Sequence, residues 1–222
     1  MSKKPIIVFE GIEGSGKSHH IKKISRYLDK KKISYLKLRE PGGSLNSEKI
    51  RNLILNKKSN FNVKTDLLLY LAARSENINL IKKYYKKRVI LIDRFIDSTI
   101  AYQHYGMGVN KKIITILNKF ILKNIKPSFT FLNTVNMKNL KLRINKRSSK
   151  NRYDNFNIKF YQKVQKGYIK LSKNKKKYMI INSNNQINEN KKIIIQKIDS
   201  ILETWILHLQ IIVILLDIIK PF

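Results

Sequence analysis

Residues 11–18 read G-I-E-G-S-G-K-S and follow the apolar run Ile6, Ile7, Val8, Phe9. They fit G-x-x-x-x-G-K-[ST], the spacing in which backbone N–H groups wrap the phosphates of a nucleotide. The chemistry calls for these residue types. Gly11, Gly14 and Gly16 turn tightly and let the main chain approach an anion with no Cβ in the way. Ile12, Glu13 and Ser15 complete the cradle, Lys17 brings a point charge to the β- and γ-phosphates, and Ser18 offers a hydroxyl to Mg²⁺. Ile21, Ile24 and Leu28 then recur at helical spacing. The loop therefore passes from a strand into a helix N-terminus, whose dipole and free N–H groups favour anions.

Other chemistry-bearing residues stand at the ends of apolar runs. Residues 89–93 read V-I-L-I-D, a strand buried on both faces that ends in an acid. A carboxylate at that tip, beside a phosphate loop, suits a direct or water-mediated Mg²⁺ contact; the alternative is a cap for the helix that follows. Arg94 and Phe95 come next, and Ser98 and Tyr102, four apart, share a helical face, with Gln103 adjoining. Arg39-Glu40-Pro41-Gly42-Gly43 breaks regular structure after another run, either as an ordinary turn or as part of a site at the sheet's carboxyl edge. Arg74 follows Ala72 and Ala73, and either snorkels to water or points into a cleft at an anion. Arg143, Arg147 and Arg152 flank the aperiodic Ser148-Ser149-Lys150-Asn151. That stretch is either a solvated basic loop or a lid over a transferring phosphate.

These residues need a scaffold. Short apolar runs alternate with amphipathic stretches, which predicts an α/β fold with a parallel sheet. Strands are expected at 6–9, 33–38, 89–93, 129–132 and 178–181. One helix is expected from near Ser47, with Ile50, Leu53 and Ile54 inward, and another from Thr65, reading Leu67, Leu68, Tyr70, Leu71, Ile78 and Ile81. Further helices are expected at 113–125, 137–147 and 156–171, and from Ile187 onward. The 222 residues suit one domain, 1–205, with a short lid at about 143–154. Residues 206–222 are expected to form an apolar C-terminal helical extension. Ile198, Ile201, Trp205, Leu209, Ile212, Leu216 and Ile219 follow steps of three and four. Beyond Ile206 the helix is apolar almost all round and calls for cover by its own domain or a partner subunit. The segment is too short to span a bilayer and contains His208, Gln210 and Asp217.

The absence of cysteine excludes disulfides and thiolate metal sites. The first five residues lead straight into a strand, leaving no room for a signal peptide, so a cytoplasmic enzyme is expected. The net charge of +33 raises the class of nucleic-acid or membrane binders. Yet the lysines are spread along the chain together with Asn and Ile. All three have A/T-rich codons, so a biased genome produces this composition without selection for binding. Only 9 of the 47 basic residues are Arg, and planar bidentate phosphate recognition makes those few more informative than the many lysines.

With these motifs in place, the chain resembles the thymidylate kinases, which phosphorylate dTMP to dTDP with ATP. The resemblance covers about 6–205. It rests on F-E-G-I-E-G at 9–14, R-E-P-G-G at 39–43, A-A-R at 72–74, D-R-F-I-D-S-T-I-A-Y-Q at 93–103, and Phe160, Val164, Gly167 and Tyr168. It implies a three-layer P-loop kinase fold, a five-stranded parallel sheet flanked by helices, with a short lid. It also implies ATP and dTMP as substrates, Mg²⁺ as cofactor, and a homodimer. In the same terms, Glu13 sits near the nucleotide and Arg39, Arg74 and Arg94 hold the acceptor phosphate. Tyr70 stacks on thymine where the family usually has Phe. Ser98 and Gln103 line the base pocket, Tyr102 lies where a 2′-hydroxyl would clash, and Asp93 lies near Mg²⁺.

Gly14 occupies the loop position at which some members carry a catalytic Arg, so the resemblance assigns that charge to the lid. Arg147 and Arg152 lead as catalytic residues beside Lys17 and Arg94, with Arg143 and Lys146 behind them. There are departures. The lid pattern Asp-Arg-hydrophobic-Glu appears as Asn151-Arg152-Tyr153-Asp154, the Asp after the fourth strand is Asn133, and Ile-Asp-Ala near the adenine is Ile181-Asn182-Ser183. These bear on lid closure and adenine binding more than on the reaction. A basic nucleic-acid-binding P-loop ATPase is the competing reading; it explains the charge but not the lack of an aromatic-basic groove pattern. A GTP switch is disfavoured, because no N-K-x-D follows the fourth strand.

Overall fold

The computed structural model describes residues 3–149, 151–173 and 176–219. Five strands, β1 (Ile6–Glu10), β2 (Tyr35–Arg39), β3 (Val89–Asp93), β4 (Phe129–Thr134) and β5 (Tyr178–Asn182), form one parallel sheet. Their order is β2-β3-β1-β4-β5. The continuous apolar runs take the three central places because both their faces are covered. The half-exposed β2 and β5 take the edges. Parallel register sets Phe9 beside Asp93 and Asp93 beside Arg39, so the sequence's chemical residues emerge together at the carboxyl edge.

Helices cover both faces. On one side Ile7, Phe9, Leu91 and Phe131 pack against Ile21, Ile24 and Leu28 of α1 (Lys17–Lys30) and Ile194, Ile198 and Leu202 of α8 (Ile187–Ile219). Tyr27 of α1 donates to Asp199 of α8 at 2.6 Å. On the other side Ile6, Val8, Ile90 and Ile92 meet Ile78 and Ile81 of a long helix (Val63–Tyr84) and Leu122 of a shorter one (Lys111–Leu122). In chain order the remaining helices are α2 (Leu45–Leu55), α3 (Val63–Tyr84), α4 (Ile96–Thr99), α5 (Lys111–Leu122), α6 (Met137–Asn145) and α7 (Ile158–Ser172).

The differences from the sequence pattern have local causes. Helix α2 starts at Leu45 because Ser44 caps it, accepting from Ser47 N, while buried Ser47 turns back to accept from Gly42 N. Leu53, read as inward, is exposed, and so is Leu68 of the next helix. Asn62 caps α3, which starts at Val63, two residues before the expected Thr65. After α4 the chain widens into a π-helical turn, Ile100–Gly106, a form with no periodicity signal of its own. The stretch expected to be irregular, 148–151, has no regular structure at its described residues, and a 3₁₀ turn, Arg152–Asn155, follows it. In the tail, Trp205 donates to Lys3 O, but Ile206, Leu207 and Ile211 are about half exposed, so the protein's own domain leaves them largely uncovered. The expectation that Leu209, Ile212, Leu216 and Ile219 are covered lies outside the described side chains, as do His208, Asp217 and Lys150 of the lid. No described helix is long and apolar enough to cross a membrane.

Candidate active site

The loop between β1 and α1 is shaped by residues that only glycine satisfies. Gly11 has φ 137°, and a Cβ there would lie 2.2 Å from Asn133 O. Gly16, the left-handed N-cap of α1, supplies no side chain to the first turn, and that turn holds no acid. Its N–H groups therefore face the loop uncapped, as anion binding requires. Lys17 is buried, with Nζ donating to Gly11 O and Ile12 O, both at 2.8 Å. Burial, then the charge of Arg94, pushes its ammonium down to about 7. Gly11, Ile12 and Ser15 are buried within the loop, whereas Glu13, Gly14, Gly16, Lys17 and Ser18 face the cleft.

Ser18 Oγ donates to Asp93 Oδ2 at 2.7 Å. Two hard oxygen ligands thus sit side by side, exposed, at the phosphate end. This donor set fits Mg²⁺, which takes one or two protein oxygens and fills its octahedron with water and phosphate. No cluster of three or more His, Cys, Asp or Glu that could hold a metal by itself occurs among the described residues.

Arg94 is the hub of the opposite wall. It holds φ 67°, a left-handed backbone that a long side chain adopts only when its surroundings enforce it. Buried Glu10 does the enforcing. Its carboxylate accepts from Phe95 N at 2.9 Å, Ser98 N at 3.2 Å and Ser98 Oγ. The Arg94 guanidinium donates to Gly11 O and Glu13 Oε1, both at 2.8 Å, and to Tyr168 OH at 3.2 Å, and lies over the Tyr102 ring. Burial alone would raise the Glu13 carboxyl, but Arg94 and Lys17 outweigh it and hold it below its ordinary range. Tyr102 OH also donates to Glu13. Gln103 is buried in the cleft wall, and its Nε2 has no partner among the described residues. A buried amide donor without a partner is incomplete.

The basic residues divide. Arg39 is half exposed and forks onto Glu48 at 2.8 and 3.1 Å. Arg74 does not snorkel. It is 1% exposed, and its guanidinium donates to Glu40 Oε2, Asn118 Oδ1 and Phe95 O. It lines the cleft while already bonded to protein. Arg143 donates to Gly14 O at 2.9 Å and to Ser183 O at 2.7 Å, tying the phosphate loop to the turn after β5. Arg147 pairs with Asp154 and lines the cleft. Arg152, ranked beside Arg147 by the sequence, is instead turned to Asp66 and lies outside the cleft lining.

One cleft of about 410 Å³ joins these groups: Lys17, Ser18 and Asp93 at one end, Tyr70, Tyr102, Gln103 and Tyr153 at the other, Arg94 between. Every acceptor-side residue read from the sequence, Glu13, Arg39, Tyr70, Arg74, Arg94, Ser98, Tyr102 and Gln103, lies in its lining. Sequence reasoning missed Arg51, Tyr153 and Glu10. Arg51 lines the cleft and donates to Pro41 O at 2.6 Å; as one of nine arginines in a lysine-rich chain it carried the same signal as the others.

The family model described as thymidylate kinase matches residues 9–194. A thymidylate kinase of Thermosipho africanus is 36% identical over 206 residues, 92% of this chain and 98% of that one. One of Mycoplasma capricolum is 37% identical over 202 residues, covering 86% and 95%. The crystal structure of thymidylate kinase from Ehrlichia chaffeensis aligns with a TM-score of 0.70 at 30% identity, covering 89% of this chain and 99% of that one.

Proposed function

The chain belongs to the thymidylate kinase family and phosphorylates dTMP with ATP, and we propose how its cleft does so. The γ-phosphoryl group of ATP passes in line to the 5′-phosphate of dTMP, giving dTDP and ADP. Such a transfer asks the protein for positioning and for neutralised charge, with little covalent work. The loop amides and the free N–H groups of α1 hold the donor phosphates. Lys17 exchanges its carbonyl partners, Gly11 O and Ile12 O, for phosphate oxygens. Ser18 and Asp93 would hold Mg²⁺, which when bound neutralises charge on the donor.

Arg94, with Arg39 and Arg51, holds the acceptor phosphate. Arg74 keeps that wall in place through Glu40 and Phe95 O. The rings of Tyr70 and Tyr102 enclose the base and sugar, and the orphan Gln103 amide meets a base carbonyl. Arg147 supplies charge from the lid, with Arg143 fixing the loop it works against. Arg152 acts indirectly in this arrangement. The observation that carries the reading is the single cleft joining an uncapped phosphate loop to an aromatic pocket through Arg94.

Equilibrium binding tests the acceptor end. We expect dTMP to bind at least about tenfold more tightly than UMP, because a 2′-hydroxyl meets Tyr102. Equal affinities would refute the pocket assignment. We further place the enzyme in the cytoplasm as a homodimer. Ile113, Ile116 and Phe120, on one face of α5, are half to three-quarters exposed, an apolar surface suited to a second copy.

A further inference from the structure

Asp66 is a buried acid with no part in holding either substrate. Asp66 sits in the first turn of α3, one helical turn before Tyr70, and is 2% exposed. Both its oxygens are occupied from the lid. Oδ1 accepts from Arg152 Nη2 and Oδ2 from Tyr153 OH. The Arg152 guanidinium also lies 5.6 Å from the Phe61 ring, just before α3. Burial alone would lower its pKa, but Asp66 outweighs this and raises it above its ordinary value.

The rest of the lid turn hangs on the same two residues. Tyr153 is buried; its carbonyl accepts from Tyr161 OH and its ring meets Tyr70 and Tyr102 edge-on, each at 6.0 Å. Next to it Asp154 caps the turn by accepting from Asn151 N at 2.9 Å, and it pairs with Arg147. The shortened acid and the Asn of this lid therefore still close a reciprocal capping box. A buried carboxylate that loses its cation is costly, and here the cation arrives from 86 residues along the chain. Lifting the turn would strip Asp66 of Arg152 and Tyr153 together.

We propose that Asp66 is a positioning residue: it latches the lid turn, Arg152–Asn155, onto α3, and so sets Arg147 at the phosphate end and Tyr153 against the base-side tyrosines. The inference rests on reading the segment at about 143–154 as the lid over the transferred phosphate. Arg152 serves the reaction by holding Asp66 rather than by touching a phosphate.

Chymotryptic cleavage after Tyr153, followed by mass on the full chain without nucleotide, reads the latch without any catalysis. With Asp66→Asn the cut is expected about tenfold faster, or more, and Arg152→Gln, at a more accessible position, should match it. The double variant should be no faster than the faster single, as for residues acting as one unit. In turnover, Asp66→Asn should lower kcat about tenfold and raise the KM for dTMP as Tyr153 leaves the base end, and Asp66→Glu should recover part of both losses. Unchanged cleavage in both single variants overturns the latch whether or not the chain phosphorylates dTMP. So does acceleration shared by tyrosines outside the lid, such as Tyr178, which marks general loosening. Protection of Tyr153 in a wild-type chain inactive on dTMP would sink the functional reading and leave the latch standing.

Discussion

Replacing Arg74 with Met separates two roles that an arginine in a cleft wall can have. Its stem is close in volume to Met, so the change chiefly removes the guanidinium. That group reaches Glu40 Oε2 at 2.7–2.8 Å, Phe95 O at 2.8 Å and Asn118 Oδ1, all away from water. Glu40, 6% exposed, would keep Asn77 nearby but lose its cation. Removing one partner of a buried, hydrogen-bonded pair costs about 3–5 kcal/mol. Burial already raises the Glu40 carboxyl above its ordinary range, so it can take up a proton, which favours the lower end of that range. At about 2–4 °C per kcal/mol for a chain of this size, the melting temperature should drop by about 6–15 °C. Differential scanning calorimetry on the wild type, Arg74→Met and Arg74→Met with Glu40→Gln measures it. The double variant should regain part of the loss, because no buried charge is left alone. A melting temperature within about 2 °C of wild type, with dTMP binding lost, would refute the reasoning and make Arg74 a ligand contact first.

Gly11→Ala should abolish ATP binding or prevent folding, since the new methyl meets Asn133 O; near-normal ATP affinity by calorimetry would contradict the loop geometry. Lys17→Ala should lower turnover by about 10²-fold or more while dTMP affinity stays within about threefold, and near-normal turnover would remove Lys17 from the mechanism. His20 is buried, and burial followed by the neighbouring His19 pushes its imidazole down to about 4. The unfolded chain takes up that proton near pH 6.5, so below it the unfolded state binds more protons and stability falls as the pH drops from 6.5 towards 4. His20→Gln should remove on the order of 2–3 kcal/mol of that loss in metal-free urea titrations, and parallel profiles would contradict it. Phe120→Asp on the exposed face of α5 should shift a dimer to monomer in sedimentation at micromolar concentration; an unchanged mass would place the interface elsewhere.

What could be read from the sequence was what depends on runs and on fixed spacings. The five strands announced themselves as apolar runs, and their carboxyl ends delivered Glu10, Arg39 and Asp93 to one edge. The phosphate loop was legible because glycine positions and Lys17 are set by local backbone geometry. Long-range pairing was not legible. Arg152 and Arg147 look alike along the chain, yet Asp66, far off in sequence, draws one of them out of the cleft. Arg74 could be read two ways until Glu40 and Asn118 were seen around it. Glu10 read simply as the end of a strand, although three donors converge on it and fix the strained Arg94. The exposure of Leu53 and Leu68 likewise turns on which helix face meets a neighbour, which periodicity leaves open by a residue or two.

In the proposed mechanism this cleft holds ATP at one end and dTMP at the other. ADP production with ATP and Mg²⁺ should be followed over dTMP, dUMP, UMP, dCMP, AMP and thymidine. Turnover should be rapid with dTMP, far lower with UMP, and absent with thymidine, which brings no phosphate to Arg94. ADP release independent of any acceptor but stimulated by DNA would contradict this mechanism, and would make the charge of +33 the signal that mattered.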